Sequence, residues 1–374
     1  MNISSVIGMN IKKLMDKNDV SLRKLSEQIG ITHPTLTKYV EGTQPIDSEK
    51  LMSIALFFNK PFDYFFKEEN NEISFMFRAD KANKNIRDID IDLLKSSINS
   101  YLDIIGEVQY QFIPQKYAIN LNDDKNSILN LVSKIAYEQR RNANIENIIP
   151  ENYYEVIQNL GIHVIVRDFK NDDYFGASSY SKELGSYIII NNSINIPEER
   201  KIFSLIHEYG HLLFHSEQYS SHAYNAFYPS VKSDFNEKIA NHFAGSFLMP
   251  KNLVDNFIGE KKCVDPMEMK KYFKVSLQTV VFMLKYYDII NKDQSNDFWK
   301  TINMNHLKNI EPYPIEMIDI QEKNIKLIYK IKELYLSEDI SANKISEVLG
   351  IDTLETRKLL QTWRNTDERC LHLK

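Results

Sequence analysis

His207-Glu208-Tyr209-Gly210-His211 sets two imidazoles four residues apart, with a carboxylate directly after the first. On a helix that spacing projects both rings from one face. Two neutral imidazoles so placed grip one Zn²⁺ and leave positions for a third protein ligand and a water. Glu208 then stands beside the ion as general base for that water. Phe203, Leu205, Ile206, Leu212, Leu213 and Phe214 surround the pattern. A helix this apolar is buried, and buried histidines beside a buried carboxylate need partners, which a surface helix with two unrelated histidines would not supply. The chemistry implied is hydrolysis at a zinc centre.

A catalytic zinc takes three protein ligands. Residues 236–250 read as a helix ended by Pro250, with Glu237, Ala240, Asn241 and Ala244 on one face. The alanines allow close approach to Gly210, and a carboxylate can then reach the metal, so Glu237 leads as third ligand. His215, His222, Asp234 and His242 compete. His215 lies two turns beyond His207, too far along the axis. The continuation H-x-x-G-x-x-H is absent because Phe214 holds the glycine place. His222 falls in a loop over 219–228 and reads as a surface residue or substrate contact. Asp234 reads as a helix cap.

These residues need a scaffold. Residues 162–166 and 186–191 are β-branched runs of strand length, and 175–178 supply a third strand. A small twisted sheet thus precedes the zinc helix, which starts near 197–200. An exposed strand edge beside such a helix can pair with an extended peptide. The strand over 187–191 is the candidate edge, with an interior position as the alternative.

Asn191, Glu199-Arg200, the run from His207 through Phe214 to His215, and Glu237-x-x-Ala240-Asn241-x-Phe243-Ala244 through Leu248-Met249-Pro250 resemble the ImmA/IrrE family of zinc metallopeptidases. The resemblance covers roughly residues 128–260. It implies zinc on His207, His211 and Glu237, Glu208 as general base, and peptide hydrolysis. Members are often fused to, or encoded beside, an XRE-type repressor that they cleave, so a transcription regulator is the implied protein substrate. Tyr209, Tyr224 and His215 are the candidates for polarising the scissile carbonyl.

Residues 1–67 carry a different pattern. Ile7, Ile11 and Leu14 recur at helical spacing, Ser21 is an N-cap for 22–29, Gly30 is the stop, and Thr32 caps a further helix opened by His33-Pro34. Leu22, Leu25, Ile29-Gly30-Ile31, Leu36, Gly42, Leu51 and Ile54-Ala55 resemble the lambda-repressor/Cro (XRE) helix-turn-helix family. The resemblance implies a major-groove helix presenting His33, Thr35, Thr37 and Lys38, with Ser21, Arg23, Lys24 and Gln44 near phosphates. Pro34 replaces a side chain that could donate to a base. The segment is basic by only about two charges, which favours a homodimer on double-stranded DNA. A small helical bundle for protein contact is the alternative.

At 374 residues there is room for two or three domains. A net charge of −5 excludes a generally basic nucleic-acid coat. The two cysteines, Cys263 and Cys370, stand in no metal-like spacing and suit a reducing cytoplasm. No apolar run approaches the length of a membrane span. The sequence therefore divides as 1–67, the helix-turn-helix domain; 68–127, an acidic hinge from Glu68 to Glu72 and a helical linker; 128–260, the zincin-like peptidase domain; and 261–374, helical. Within the last, 273–280 and 340–351 hint at helix-turn-helix packing, read as interaction or substrate binding. The fold class expected is α+β, mainly α. The function expected is a cytoplasmic DNA-binding transcriptional regulator whose zinc endopeptidase domain cuts a repressor-type partner or its own hinge. The alternatives are a transcription factor whose zinc domain senses a signal or is structural, and a phage or plasmid toxin or immunity component.

Overall fold

The computed structural model describes residues 2–18, 20–58, 60–66, 75–79, 88–106, 112–114, 117, 119, 124–169, 172, 174–181, 185–216, 231–304 and 311–371. The Glu68–Glu72 hinge, His222 and Tyr224 lie outside them. The chain forms two compact units, residues 1–72 and 73–374.

The first unit is helical: α1 (Ile3–Lys17), α2 (Leu22–Ile29), α3 (His33–Val40), α4 (Ser48–Phe57) and a 3₁₀ turn (Phe62–Phe66). Each start is fixed by a side chain that accepts from an otherwise orphaned backbone N–H. Ser21 Oγ accepts from Lys24 N, Thr32 Oγ1 from Thr35 N and Asp47 Oδ1 from Lys50 N. Gly30 ends α2 at φ +68°, the left-handed region that favours glycine. Ile7, Ile11, Leu25, Ile29, Leu36, Ile54 and Phe65 form a core of their own.

The second unit holds β1 (Phe75–Ala79), α5 (Asp88–Ile105), α6 (Lys125–Asn142), α7 (Tyr153–Asn159), β2 (His163–Arg167), β3 (Tyr174–Ser181), β4 (Gly185–Asn191), α8 (Glu198–Phe214) and α9 (Val231–Leu248). There follow α10 (Lys251–Lys261), α11 (Pro266–Phe273), α12 (Leu277–Tyr286), α13 (Lys292–Met304), α14 (Ile320–Lys323), α15 (Ile325–Leu336), α16 (Ala342–Leu349) and α17 (Thr353–Leu371). The architecture is α+β and mainly α.

The four strands lie in the order β1-β3-β4-β2. β3 is antiparallel to both β1 and β4, whereas β2 and β4 are parallel. The strand expected at an open edge, 187–191, is therefore interior. Its side chains alternate between two cores, as a period of two requires. Ile188 and Ile190 face α8 and α9, and Tyr187 and Ile189 face the opposite layer. A strand covered on both faces is apolar throughout rather than alternating, which is how 187–190 read. That opposite layer combines Leu94, Ile98 and Tyr101 of α5 with Leu327 and Ile331 of α15, Ile345 and Leu349 of α16, and Trp363 of α17.

Buried ion pairs tie the C-terminal segment to the first turn of α8. Lys323 Nζ stands 2.7 Å from Glu198 Oε2 and 2.8 Å from Asn192 Oδ1. Lys270 Nζ stands 2.5 Å from Glu199 Oε1. All four ionic side chains are fully buried. Among the described residues no helix is long and apolar enough to cross a membrane.

Candidate metal centre and DNA-binding helix

α8 and α9 approach closely because small residues face each other. A Cβ on Gly210 would lie 3.4 Å from Ala240 Cα and 3.1 Å from the Phe243 ring, tight even for one added carbon. With the helices so close, Glu237 reaches across. Its Oε2 is 3.3 Å from His207 Nε2 and its Oε1 is 3.2 Å from His211 Nε2, and the two Nε2 atoms are 3.0 Å apart. Among the described residues this is the one group of three or more histidine, cysteine or carboxylate side chains able to hold a metal ion.

The far nitrogens of both rings are engaged. His207 Nδ1 is 3.0 Å from Asn241 Oδ1, which can only accept, so the ring hydrogen sits on Nδ1 and Nε2 keeps its lone pair. His211 Nδ1 is 2.9 Å from His215 Nδ1, and with the hydrogen on His211 the same holds there. Burial, and then the neighbouring His211, hold His215 well below the ordinary histidine range, so it is a neutral partner. Burial alone would raise the Glu237 carboxyl. Protons on His207 and His211, the positive charge that a bound cation would replace, outweigh it and hold that group far below the usual carboxylate range. Two neutral imidazole nitrogens and an ionised carboxylate are a donor set that fits zinc.

Glu208 is fully buried, and Ser178 of β3 donates to its Oε2 at 2.5 Å. The helical step turns Tyr209 away from this face. Its hydroxyl donates to Gln139 Oε1 at 2.6 Å within the core, which removes it from the candidates for polarising a substrate carbonyl. His242 also faces elsewhere, 2.9 Å from Ser133 Oγ on α6. Position 234, read from sequence as a helix cap, lies inside α9, which already starts at Val231.

Residues 157–285, from α7 to α12, match the family model of the IrrE N-terminal-like domain. This segment is an ImmA/IrrE-type peptidase domain. Residues 11–65 match the helix-turn-helix model, giving the expected DNA-binding domain ahead of a metallopeptidase-type hydrolase domain. No curated protein matches the chain.

In the DNA-binding domain His33 and Lys38 are exposed on α3, and Ser21, Arg23, Lys24 and Gln44 are exposed around it. Thr35 and Thr37 are half-buried. The Thr35 hydroxyl bonds to that of Thr32 at 2.8 Å, and Thr37 donates to the His33 carbonyl at 3.0 Å. Arg23 pairs with Glu27 at 3.1 Å, an exposed contact weak enough for a phosphate to replace.

Sequence reasoning did not assign roles to Ser178 and Asn241. For Asn241 the signal was present: it lies one turn beyond Glu237 on the same face. For Ser178 there was none, since its contact with Glu208 depends on sheet placement. Asn241→Ala is expected to weaken zinc binding by about 10- to 100-fold without unfolding the chain, because His207 loses the acceptor that fixes its ring. Competition with a chelating dye measures this, and an unchanged zinc affinity would remove the orienting role.

Proposed function

We propose that the chain is a DNA-binding transcriptional regulator whose ImmA/IrrE-type domain is a zinc endopeptidase acting on a repressor-type protein. The convergence of His207, His211 and Glu237 beside Glu208 carries this reading. His207, His211 and Glu237 would hold the ion, with a glutamate as third ligand in the gluzincin manner. When bound, zinc supplies Lewis acidity to the scissile carbonyl and acidifies water. Glu208, fixed by Ser178, takes a proton from the attacking water on its carboxylate and passes it to the leaving amine nitrogen. His215 stands behind His211 rather than among the three ligands, which supports an open catalytic position over a closed structural one. The helix-turn-helix domain acts on double-stranded DNA as a homodimer.

One observation favours this chain's own hinge as a further substrate. β3 carries Ser178, which bonds to Glu208, and Gly176, where a Cβ would lie 3.5 Å from Glu208 Cγ. β1 pairs antiparallel along that strand, with Met76 opposite Ser178 and Arg78 opposite Gly176. Extended backbone added to a strand edge is how a peptidase holds a peptide, so residues just ahead of the domain already run along the strand nearest the base.

The test incubates the zinc-loaded full chain with the helix-turn-helix protein that co-purifies with it, and follows intact masses of both. Cleavage of the partner, or of this chain between about residues 67 and 80, is expected. It should stop on chelation and return with zinc. Both proteins remaining whole with zinc bound would sink the peptidase reading.

A further inference from the structure

The three helices of the first unit that carry its helix-turn-helix recur 320 residues further along the chain, with no insertion or deletion. Ser21, Lys24, Ser26, Glu27, Gly30, Ile31 and Lys38 are matched by Ser341, Lys344, Ser346, Glu347, Gly350, Ile351 and Lys358. The fold follows the letters. Ser341 Oγ caps α16 through Lys344 N at 3.2 Å, as Ser21 caps α2 through Lys24 N at the same distance. Gly350 ends α16 at φ +64°, as Gly30 ends α2 at +68°. α17 then opens at Thr353, as α3 opens at His33. The core positions correspond too: Ile7, Ile11, Leu25, Ile29, Leu36 and Tyr39 are buried, and so are Leu327, Ile331, Ile345, Leu349, Thr356 and Leu359.

Burying Thr356, Leu359, Leu360 and Trp363 leaves the other face of α17 outward. Thr353, Leu354, Arg357, Lys358 and Gln361 are exposed there, one and two turns along from the helix start. Their chemistry suits base edges: arginine and lysine for guanine, glutamine for adenine, and leucine for the thymine methyl. The acid within this stretch, Glu355, is turned back on the helix start. Its Oε2 accepts from Asp352 N, and Asp352 Oδ1 accepts from Glu355 N, a reciprocal cap.

We propose that α15–α17 form a second helix-turn-helix that docks α17 in the major groove of double-stranded DNA. The lack of a basic surface in the C-terminal segment favoured an interaction or substrate-binding role, but groove binding depends on the local face, and Arg357 and Lys358 stand together on the outward face of α17. The unit is braced on the peptidase body. A Cβ on Gly350 would meet Arg167 Nε of β2 at 2.9 Å, and Glu347 accepts from Ser100 of α5 at 3.1 Å. DNA bound to α17 therefore also fixes the peptidase body on DNA. The inference rests on α2–α3 being a DNA reader, since it is their pattern that recurs.

The test measures anisotropy of a labelled mixed-sequence duplex of about 30 base pairs against the full chain, at about 50 and about 200 mM salt. Four proteins are compared: wild type, Lys38→Glu, Arg357→Glu/Lys358→Glu, and the combined triple variant. All changed side chains are exposed, so matching melting curves are expected. The α17 variant should bind at least about tenfold more weakly at the lower salt, with the slope of log affinity against log salt reduced by about two. The triple variant should lose further affinity. Arg357→Lys/Lys358→Arg should retain binding, because the charge is kept. Unchanged affinity and slope in the α17 variant overturn the proposal, including when that variant instead sheds a protein partner. Loss on Lys38→Glu alone leaves the first reader standing and removes the second, and loss on the α17 variant alone does the reverse.

Discussion

Glu208→Gln is expected to slow partner cleavage by about 10²- to 10⁴-fold, the range that a positioned general base contributes, while zinc content and melting temperature stay unchanged. The separation follows from the geometry. The converging side chains able to hold a metal are His207, His211 and Glu237, and Glu208 is not among them. Glutamine fills the same volume, and its amide oxygen still accepts from Ser178 Oγ. What disappears is the carboxylate proposed to hold the proton between water and leaving amine. The variant should therefore accumulate an uncleaved complex with the protein that wild type cuts, which co-purification and metal analysis read together. Wild-type turnover in the zinc-loaded variant would sink the role of Glu208. Glu237→Gln would differ, losing zinc and turnover together, because that carboxylate faces both Nε2 atoms.

The convergence of side chains at this centre was legible because it is carried by local periodicity. His207 and His211 share a helix face by spacing alone, and the small residues Gly210 and Ala240 announced a close helix pair that lets Glu237 reach across. The caps Ser21 and Thr32 and the stop at Gly30 were legible for the same reason. Contacts across long stretches of chain were not. Strand order depends on which segments pair, and nothing in 187–191 says that β2 and β3 flank it. The signal that existed, an unbroken apolar run, points to burial on both faces rather than to an edge. Phe75–Ala79 has none of the β-branched residues that marked β2 and β4, so it does not stand out as a strand until β3 is there to pair with it. Glu198, Glu199, Lys270 and Lys323 resemble ordinary solvated helix charges in sequence, yet all four are buried.

That buried charge gives a second large expected effect. Lys270→Met is expected to destabilise the 73–374 unit by about 3–5 kcal/mol, the usual cost of removing one partner from a buried pair. Lys270 Nζ stands 2.5 Å from Glu199 Oε1 and 3.5 Å from Glu311 Oε1 and donates to the Tyr313 carbonyl. Without it two carboxylates share one dry site. Glu199 keeps the Ile315 N–H on Oε1, but its Oε2 has no hydrogen-bond partner among the described residues. Burial already raises the Glu311 carboxyl, a shift that Lys270 partly offsets, so the site has little capacity for uncompensated negative charge. Desolvating an intact pair offsets much of its attraction, and so removing charge from both sides should cost far less than breaking the pair. Lys270→Met/Glu199→Gln should accordingly recover much of the loss in urea unfolding, seen as a midpoint shifted back toward wild type at constant slope. A single variant no less stable than the double would show that solvent compensates the charge. A large loss in the single with recovery in the double would place the strain on Glu199, in the first turn of the helix that presents His207 and His211.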